Sequence, residues 1–311
     1  MNKKLIKILI ILWSVIAIGV AGLLVYGIVN GGDMKNMFRP FVISSDKNLK
    51  VQKEEEIDIK DLEKVNIDFS SSDIIIESTD EPNVKIVQKA SGDLDDDEKF
   101  IINKSGNEVT IERSYEKIFK LFSFGWINES IEVYIPKNYN KNLFVHTSSG
   151  NIKCSLDEVV DNATLKATSG NIAIIKNLNV NEADLEVSSG NINIESLSSK
   201  KYTVDSTSGN VNVKSVAGTG DIKTSSGNIE VNYKDIDEYS QVYANSGNVR
   251  IEIPKELSFE FNGECTSGDI KSNFDLNYKD KKGNKATAQI GNAPYKKLDV
   301  KTSSGNINIR K

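Results

Sequence analysis

The tripeptide Ser-Gly-Asn returns along this chain at near-constant spacing, as in "TSSGNIKC" at 147–154, "TSSGNIEV" at 224–231 and "TSSGNINI" at 302–309. Aligned on its glycine, the motif falls at Gly150, Gly170, Gly190, Gly209, Gly227, Gly247, Gly268 and Gly305, at intervals of 20, 20, 19, 18, 20, 21 and 37 residues. The last interval is close to two periods and reads as one containing an unrecognisable copy. A fixed period of this length makes each repeat one supersecondary unit, obliged to bury its apolar face by stacking on its neighbours.

The columns around the glycine identify the unit. Two and four residues after it stand Ile152 and Cys154, Ile172 and Ile174, Ile192 and Ile194, Val211 and Val213, Ile229 and Val231, Val249 and Ile251, Ile307 and Ile309. Alternation with period two marks a strand with one buried face. Before the glycine, Val145 and Thr147, Leu165 and Ala167, Leu185 and Val187, and Val300 and Thr302 repeat the pattern. A strand enters, turns, and a second strand leaves. Gly and Asn would also suit a hairpin, but one identical turn per roughly 20 residues favours a coil. The expected fold is all-β, a single-stranded parallel β-solenoid of roughly 20-residue coils. Aromatics at 7% of the chain fit short strands and tight polar turns.

In such a coil like residues stack at ~4.8 Å. The pairs Gly150-Asn151, Gly170-Asn171, Gly190-Asn191, Gly209-Asn210, Gly227-Asn228, Gly247-Asn248, Gly268-Asp269 and Gly305-Asn306 would then form a turn ladder, the amides bonding above and below. Each bond contributes about 0.5–1.5 kcal/mol net, so repetition is read as structural. Residues 146–311 form the regular part. Residues 57–145 are read as divergent coils, with Ser-Asp-Ile inside "VNIDFSSSDIIIES" at 65–78 and Gly106 inside "KSGNEVTIERS". Residues 30–56 read as a polar juxtamembrane stalk.

The N-terminus is different material. Lys3, Lys4 and Lys7 precede an uncharged run from Ile8 to Val29, the length of a membrane-spanning helix. Gly19-Val20-Ala21 resembles a signal-peptide cleavage site, but the apolar run continues past it. No cysteine follows the span as a lipoprotein anchor would require. The positive-inside rule places residues 1–7 in the cytoplasm and the chain after the 8–29 span outside the membrane. Residues 1–56 hold eight basic and five acidic groups, which leaves the rest of the chain at −8 of a net −5. That balance disfavours nucleic acid as a partner, and equally a simple electrostatic hold on anionic lipids or wall polymers.

The stretch "IEVYIPKNYNKNLFVHTSSGNIKC", the serial "SGNI" coils and the closing "LDVKTSSGNINI" resemble the bacterial "putative-adhesin" family of β-strand-repeat proteins, a domain of unknown function, over about residues 60–311. The resemblance implies an envelope-associated β-solenoid, often membrane-anchored and often encoded beside envelope-stress regulators. It carries over no catalytic residue.

Other candidate chemistry is sparse. Cys154 and Cys265 sit in inward columns about six coils apart, or ~29 Å, too far for a disulfide, and are expected as buried thiols. His146, the one histidine, stands outward among Lys166, Glu186, Asp205, Lys223, Tyr243, Glu264 and Lys301. Glu186 and Asp205 fall on adjacent coils and offer the one carboxylate pair for a carbohydrate-active enzyme. "DLDDDE" at 93–98 is read as a solvated loop, without the central glycine of a Ca²⁺ loop. Aromatics cluster once, as Phe119, Phe122, Phe124 and Trp126 within 117–127: either a cap on the solenoid end or a partner surface. The expectation is a non-enzymatic, single-pass membrane protein with an extracytoplasmic binding, adhesin-like or envelope-stress-associated module. It needs no cofactor and no metal, and its partners are wall polymer or envelope-stress membrane proteins. A wall-glycan enzyme and a self-assembling scaffold are the alternatives.

Overall fold

The structure, a computed structural model, describes residues 49–113, 128–157 and 159–311. The chain divides into two compact units, Met1–Asp46 and Lys47–Lys311, of which the second is described from residue 49 onward. The span expected at 8–29 and the aromatic segment at 117–127 lie outside the described residues. Among those described, no helix is long and apolar enough to cross a membrane.

Strands β1 (Lys50–Asp58), β2 (Lys64–Phe69), β3 (Asp73–Thr79) and β4 (Asn83–Ala90) precede a short 3-10 turn at Asp96–Glu98. Then come β5 (Phe100–Ser105), β6 (Glu108–Arg113), β7 (Glu129–Pro136), β8 (Asn142–Thr147) and β9 (Ile152–Ser155). The regular repeat builds β10 (Val159–Ser169), β11 (Ile172–Ser189), β12 (Ile192–Ser208), β13 (Val211–Ser226) and β14 (Ile229–Ser246). It is followed by β15 (Val249–Glu252), β16 (Phe259–Ser267), β17 (Ile270–Ser272), β18 (Asn277–Tyr278), β19 (Lys285–Ile290), β20 (Lys296–Ser304) and β21 (Ile307–Arg310).

The described fold is all-β, and its repeats stack as parallel coils in register. Leu165 lies opposite Leu185, then Val204, Ile222 and Val242 on successive coils. Past the corner, Ile172, Ile192, Val211, Ile229 and Val249 make a second file. All belong to one continuous core. Stiff β-branched side chains suit such files, because each packs on its like neighbour in the same rotamer. β11 turns its side chains outward at Ile175, Lys176 and Asn177, so one coil contains a bend between corners.

Stacking does not follow chain order to the end. β14 pairs with β20, and β20 with β16, so the C-terminal coil slides between the Gly247 and Gly268 coils. The 37-residue interval holds no missing coil. Instead β19 runs antiparallel to β16, and β18 to β19. Side-chain size explains the order: the Gly305 coil offers Leu298, Val300, Ile307 and Ile309, which fit files on both sides. The Gly268 coil carries Phe259 and Phe261, with Phe274 edge-on to Phe259 at 5.8 Å, rings that fill an end.

The N-terminal region corrects two further expectations. Gly106, read as a coil corner, is the turn of an antiparallel β5–β6 hairpin, with φ +59°. Residues 50–56, read as stalk, continue through 58 as an edge strand antiparallel to β4. Only Ile57 of β1 is buried, which is why its sequence resembles a polar linker. β2 and β3 are true coil segments, each paired in parallel with the first regular coil, β2 to β8 and β3 to β9.

A polar knot lies inside the regular coils. Tyr202 and Tyr233 place their hydroxyls 2.8 and 2.7 Å from Ser240 Oγ, all three buried. Burial raises both phenols, Tyr202 from 10.0 to about 12. An unfolded chain releases these protons near pH 10 while the folded one holds them, so stability is intact below pH 10 and falls as pH climbs toward 12. The thermal midpoint should be flat from about pH 7 to 9 and drop above 10. Tyr202→Phe combined with Tyr233→Phe should flatten that drop.

Candidate functional site

The turn ladder is the best-formed polar array in the described chain. Asn171 donates both its backbone N–H and its Nδ2 to Asn151 Oδ1, each at 3.0 Å. Asn191 does the same to Asn171 at 2.8 and 3.3 Å, and Asn228 to Asn210 at 2.8 and 3.4 Å. Asn210 donates its backbone N–H to Asn191, and Asn248 and Asn306 continue the file. The main-chain bond is the shorter in every two-bond rung except at Asn171, where the two are equal, which amide stacking alone does not anticipate. The file starts on Asp73 Oδ1, which accepts from Asn151 at 2.8 and 3.0 Å, and ends at Asp269, whose N–H donates to Asn306 at 3.0 Å.

The glycines beside these asparagines are set by space. A Cβ on Gly170 would sit 1.8 Å from the carbonyl oxygen of Gly150, and one on Gly209 1.8 Å from that of Gly190. The same collision recurs at Gly190, Gly227, Gly247, Gly305 and Gly268. Gly150 faces the carbonyl of Ser72, which occupies the first corner. The ladder is therefore structural and commits its polar groups to itself.

Chemistry available to a partner lies in the outward columns. Across the strands before the corner run Asp68, His146, Lys166, Glu186, Asp205, Lys223, Tyr243, Lys301 and Glu264. His146 Nδ1 lies 2.7 Å from Asp68 Oδ1, and Lys166 Nζ binds Glu186 at 2.7 Å and Asp184 at 3.1 Å. Lys223 pairs with Asp221 at 3.0 Å and Glu264 with Lys285 at 2.7 Å. Partial burial, then the charge of Glu186, holds the Asp205 carboxyl above its ordinary value. The Lys285 bond lowers that of Glu264. Glu186 and Asp205 are thus neighbours, with Glu186 held by Lys166.

A concavity of about 390 Å³ lies on the outer face of β1, β4, β7 and β3. Val51 and Val87 contribute apolar surface; Lys85 pairs with Glu54 at 2.9 Å, Lys89 with Glu132 at 2.6 Å, and the Tyr134 hydroxyl donates to Glu132 at 2.8 Å. Its lysines are neutralised in place. It is not legible in the sequence, because β1 buries only Ile57 and a register shift between Val51 and Lys53 brings Val51 to the outer face beside Glu54.

The remaining candidates disperse. Cys154 and Cys265 are free and buried. With the C-terminal coil inserted they are seven coil steps apart, or ~34 Å. Burial pushes the Cys154 thiol to about 11 and raises Cys265 as well. Asp96 of the acidic loop pairs with Lys99 at 2.8 Å. No group of three or more His, Cys, Asp or Glu suited to a metal occurs among the described residues. Phe119, Phe122, Phe124 and Trp126 lie outside them.

Comparison with known proteins places this geometry. The family described as Toastrack DUF4097 matches residues 62–310. Among solved structures, a "putative adhesin" from Bacteroides fragilis is 12% identical, with 84% of this chain and 97% of that chain covered and a TM-score of 0.48. A "putative lipid binding protein" from Parabacteroides distasonis is 17% identical, covering 86% and 98%, with a TM-score of 0.42. A "putative adhesin" from Parabacteroides merdae is 13% identical, covering 86% and 98%, also at 0.42. No curated protein matches.

The two kinds of glycine should separate cleanly on mutation. Gly209→Ala drives a methyl into main chain and should cost more than about 3 kcal/mol, among the largest single-substitution effects. Gly106→Ala meets nothing within 4 Å and should cost about 1–2 kcal/mol for its left-handed backbone alone. Asn210→Ala should fall near 0.5–1.5 kcal/mol. Denaturant unfolding of the three variants checks the order. Both thiols should resist alkylation until the chain unfolds.

Proposed function

The chain belongs to the Toastrack DUF4097 family, and from that premise we propose that it is a membrane-anchored, non-enzymatic cell-envelope protein whose coil stack, a β-solenoid, is a rigid binding module. The observation that carries this reading is the division of labour in each coil. Corner and interior are consumed by stacking, and the outward columns hold mixed charge on flat sheet, with ion pairs such as His146–Asp68, Lys166–Glu186 and Lys223–Asp221. Reactive groups in a shared cleft, as an enzyme needs, are not what this arrangement supplies.

The anchor is the run from Ile8 to Val29, which puts residues 30–311 on the extracytoplasmic side. The aromatic segment is proposed as a partner surface. Closure of the stack is supplied by other strands: the β5–β6 hairpin and the β1–β4 pair at one end, β18 and β19 at the other. A cap at 117–127 is then unnecessary. The described residues flanking it lie one strand from β1: Lys50 pairs with Ala90, Ala90 with Glu129, and Arg113 binds Glu129. Phe119, Phe122, Phe124 and Trp126, the aromatic cluster of the sequence, are assigned to a membrane or a membrane protein.

The raised carboxyl of Asp205 beside Glu186 favours one competing reading, glycan hydrolysis. Three outcomes are expected. The full chain stays with membranes through alkaline carbonate, and a chain lacking residues 1–29 does not. A photo-cross-linker at position 122 captures lipid or membrane protein; cross-links confined to the chain itself would return 117–127 to a structural role. Purified protein leaves wall glycans intact, whereas a cleavage abolished by Glu186→Gln would replace this reading with an enzyme.

A further inference from the structure

Charge is divided along the sequence: residues 250–311 carry twelve basic and eight acidic side chains, and residues 57–249 nineteen and thirty-one. The basic part builds the end of the stack opposite to β1, and there β14, β20 and β16 lie side by side. On the outer face of β14, Tyr239 and Tyr243 point the same way, four residues apart, or ~13 Å along the strand, with Gln241 between them. The adjoining strand sets Lys297 beside Tyr239, Asp299 beside Gln241 and Lys301 beside Tyr243.

Tyr243 is 39% exposed, and Gln241, Lys297 and Lys301 are exposed. Among the acids nearby, Asp299 accepts from Asn262 Nδ2 at 3.0 Å, Asp221 holds Lys223 and Glu264 holds Lys285, while Glu260 stands beside Lys297 on β16. Lys297 and Lys301 form no salt bridge among the described residues. Two ring-plus-cation pairs therefore repeat along one line.

The geometry narrows the occupant. β14 is paired on both sides over these residues, so no peptide can add as a strand. Polar Gln241, Asp299 and Asn262 interrupt any apolar track for an acyl chain. A tyrosine face with polar flanks suits the C–H face of a sugar ring, and the lysine ammonium is a point charge for a carboxylate. We propose that this face binds an acidic polysaccharide, its rings lying on Tyr239 and Tyr243 and its carboxylates on Lys297 and Lys301. This deepens the binding-module reading and rests on it; the cross-linking outcome above concerns a different surface and stands or falls separately.

The test is binding of the full chain in detergent to polygalacturonate, with dextran as a neutral glycan and polyglutamate as an anion without sugar rings. Polygalacturonate should bind at least tenfold more tightly than either. Tyr239→Ala with Tyr243→Ala, and separately Lys297→Gln with Lys301→Gln, should each weaken it tenfold or more with an unchanged circular dichroism spectrum. The Tyr→Phe pair should retain binding. Equal binding to polyglutamate would reduce the face to charge, and equal binding to dextran would remove the role of the lysines. No binding, or full binding by both double variants, would overturn the proposal. So would salt-sensitive dimerisation abolished by the lysine variants, which would give the face to a second copy.

Discussion

Each corner of the stack presents a main-chain carbonyl oxygen to the corner that follows it, and that oxygen occupies the place where a Cβ would stand. At Gly170, Gly209 and Gly247 the notional methyl lies 1.7 to 1.8 Å from it. The same oxygen is partly satisfied by the coil that follows it: Ser206, Thr224 and Thr302 donate hydroxyls to the carbonyls of Gly190, Gly209 and Gly247 at 3.0 to 3.2 Å. A buried carbonyl without a partner costs about 1–3 kcal/mol, so the small hydroxyl column and the glycine column are two responses to one crowded atom. The crowding has a direction. Every corner collides with the one before it, so the first corner alone escapes, and there a serine stands: Ser72, whose Oγ donates to Glu129 at 3.0 Å.

The asparagine file shares this direction. Each rung donates backward and accepts from the next, so the first rung needs only an acceptor, which Asp73 supplies without wasting an amide. The last, Asp269, donates only its backbone N–H. Beyond it the outer edge of β16 is taken by β19, with Cys265 N–H bonded to the Asn284 carbonyl and Ile270 N–H directed to that of Gly283. Antiparallel closure at the end answers the hazard of an open parallel edge. It also explains why the chain doubles back: a coil with aliphatic files on both sides belongs inside the stack, and a coil bearing Phe259 and Phe261 belongs at its end.

How much of this can be read from sequence follows from what stacking demands of individual side chains. The Ile172–Ile192–Val211–Ile229 file, the corner glycines and the asparagine ladder are legible because identical neighbours are a local requirement repeated at fixed spacing. Asp73 was visible as the Ser-Asp-Ile core, since the first rung keeps an acceptor. Insertion of the Gly305 coil was not legible: the period records that coils stack, and every coil of the correct cross-section satisfies it in any order. Gly106 misled because a hairpin turn and a stacked corner both take glycine, one for a left-handed φ of +59° and the other for room. β1 was missed because an edge strand with one buried residue has little to distinguish it from a polar linker.

A coil that spends its corner and its inward columns on its neighbours leaves about half its strand residues without a structural assignment. Those outward positions tolerate His146, Lys166, Glu186, Asp205, Lys223 and Tyr243 in succession, at a column where the opposite face allows only aliphatic or small residues. Local pairing between adjacent coils, as in Lys166 with Glu186, reduces the repulsion such a column would otherwise create. At Lys297 and Lys301 the exposed cations form no salt bridge among the described residues and stand beside aromatic neighbours on the next strand. Register therefore does two jobs in this fold. It builds the core by placing like on like inside, and outside it turns a linear sequence into a two-dimensional grid, in which groups far apart along the chain stand one strand apart.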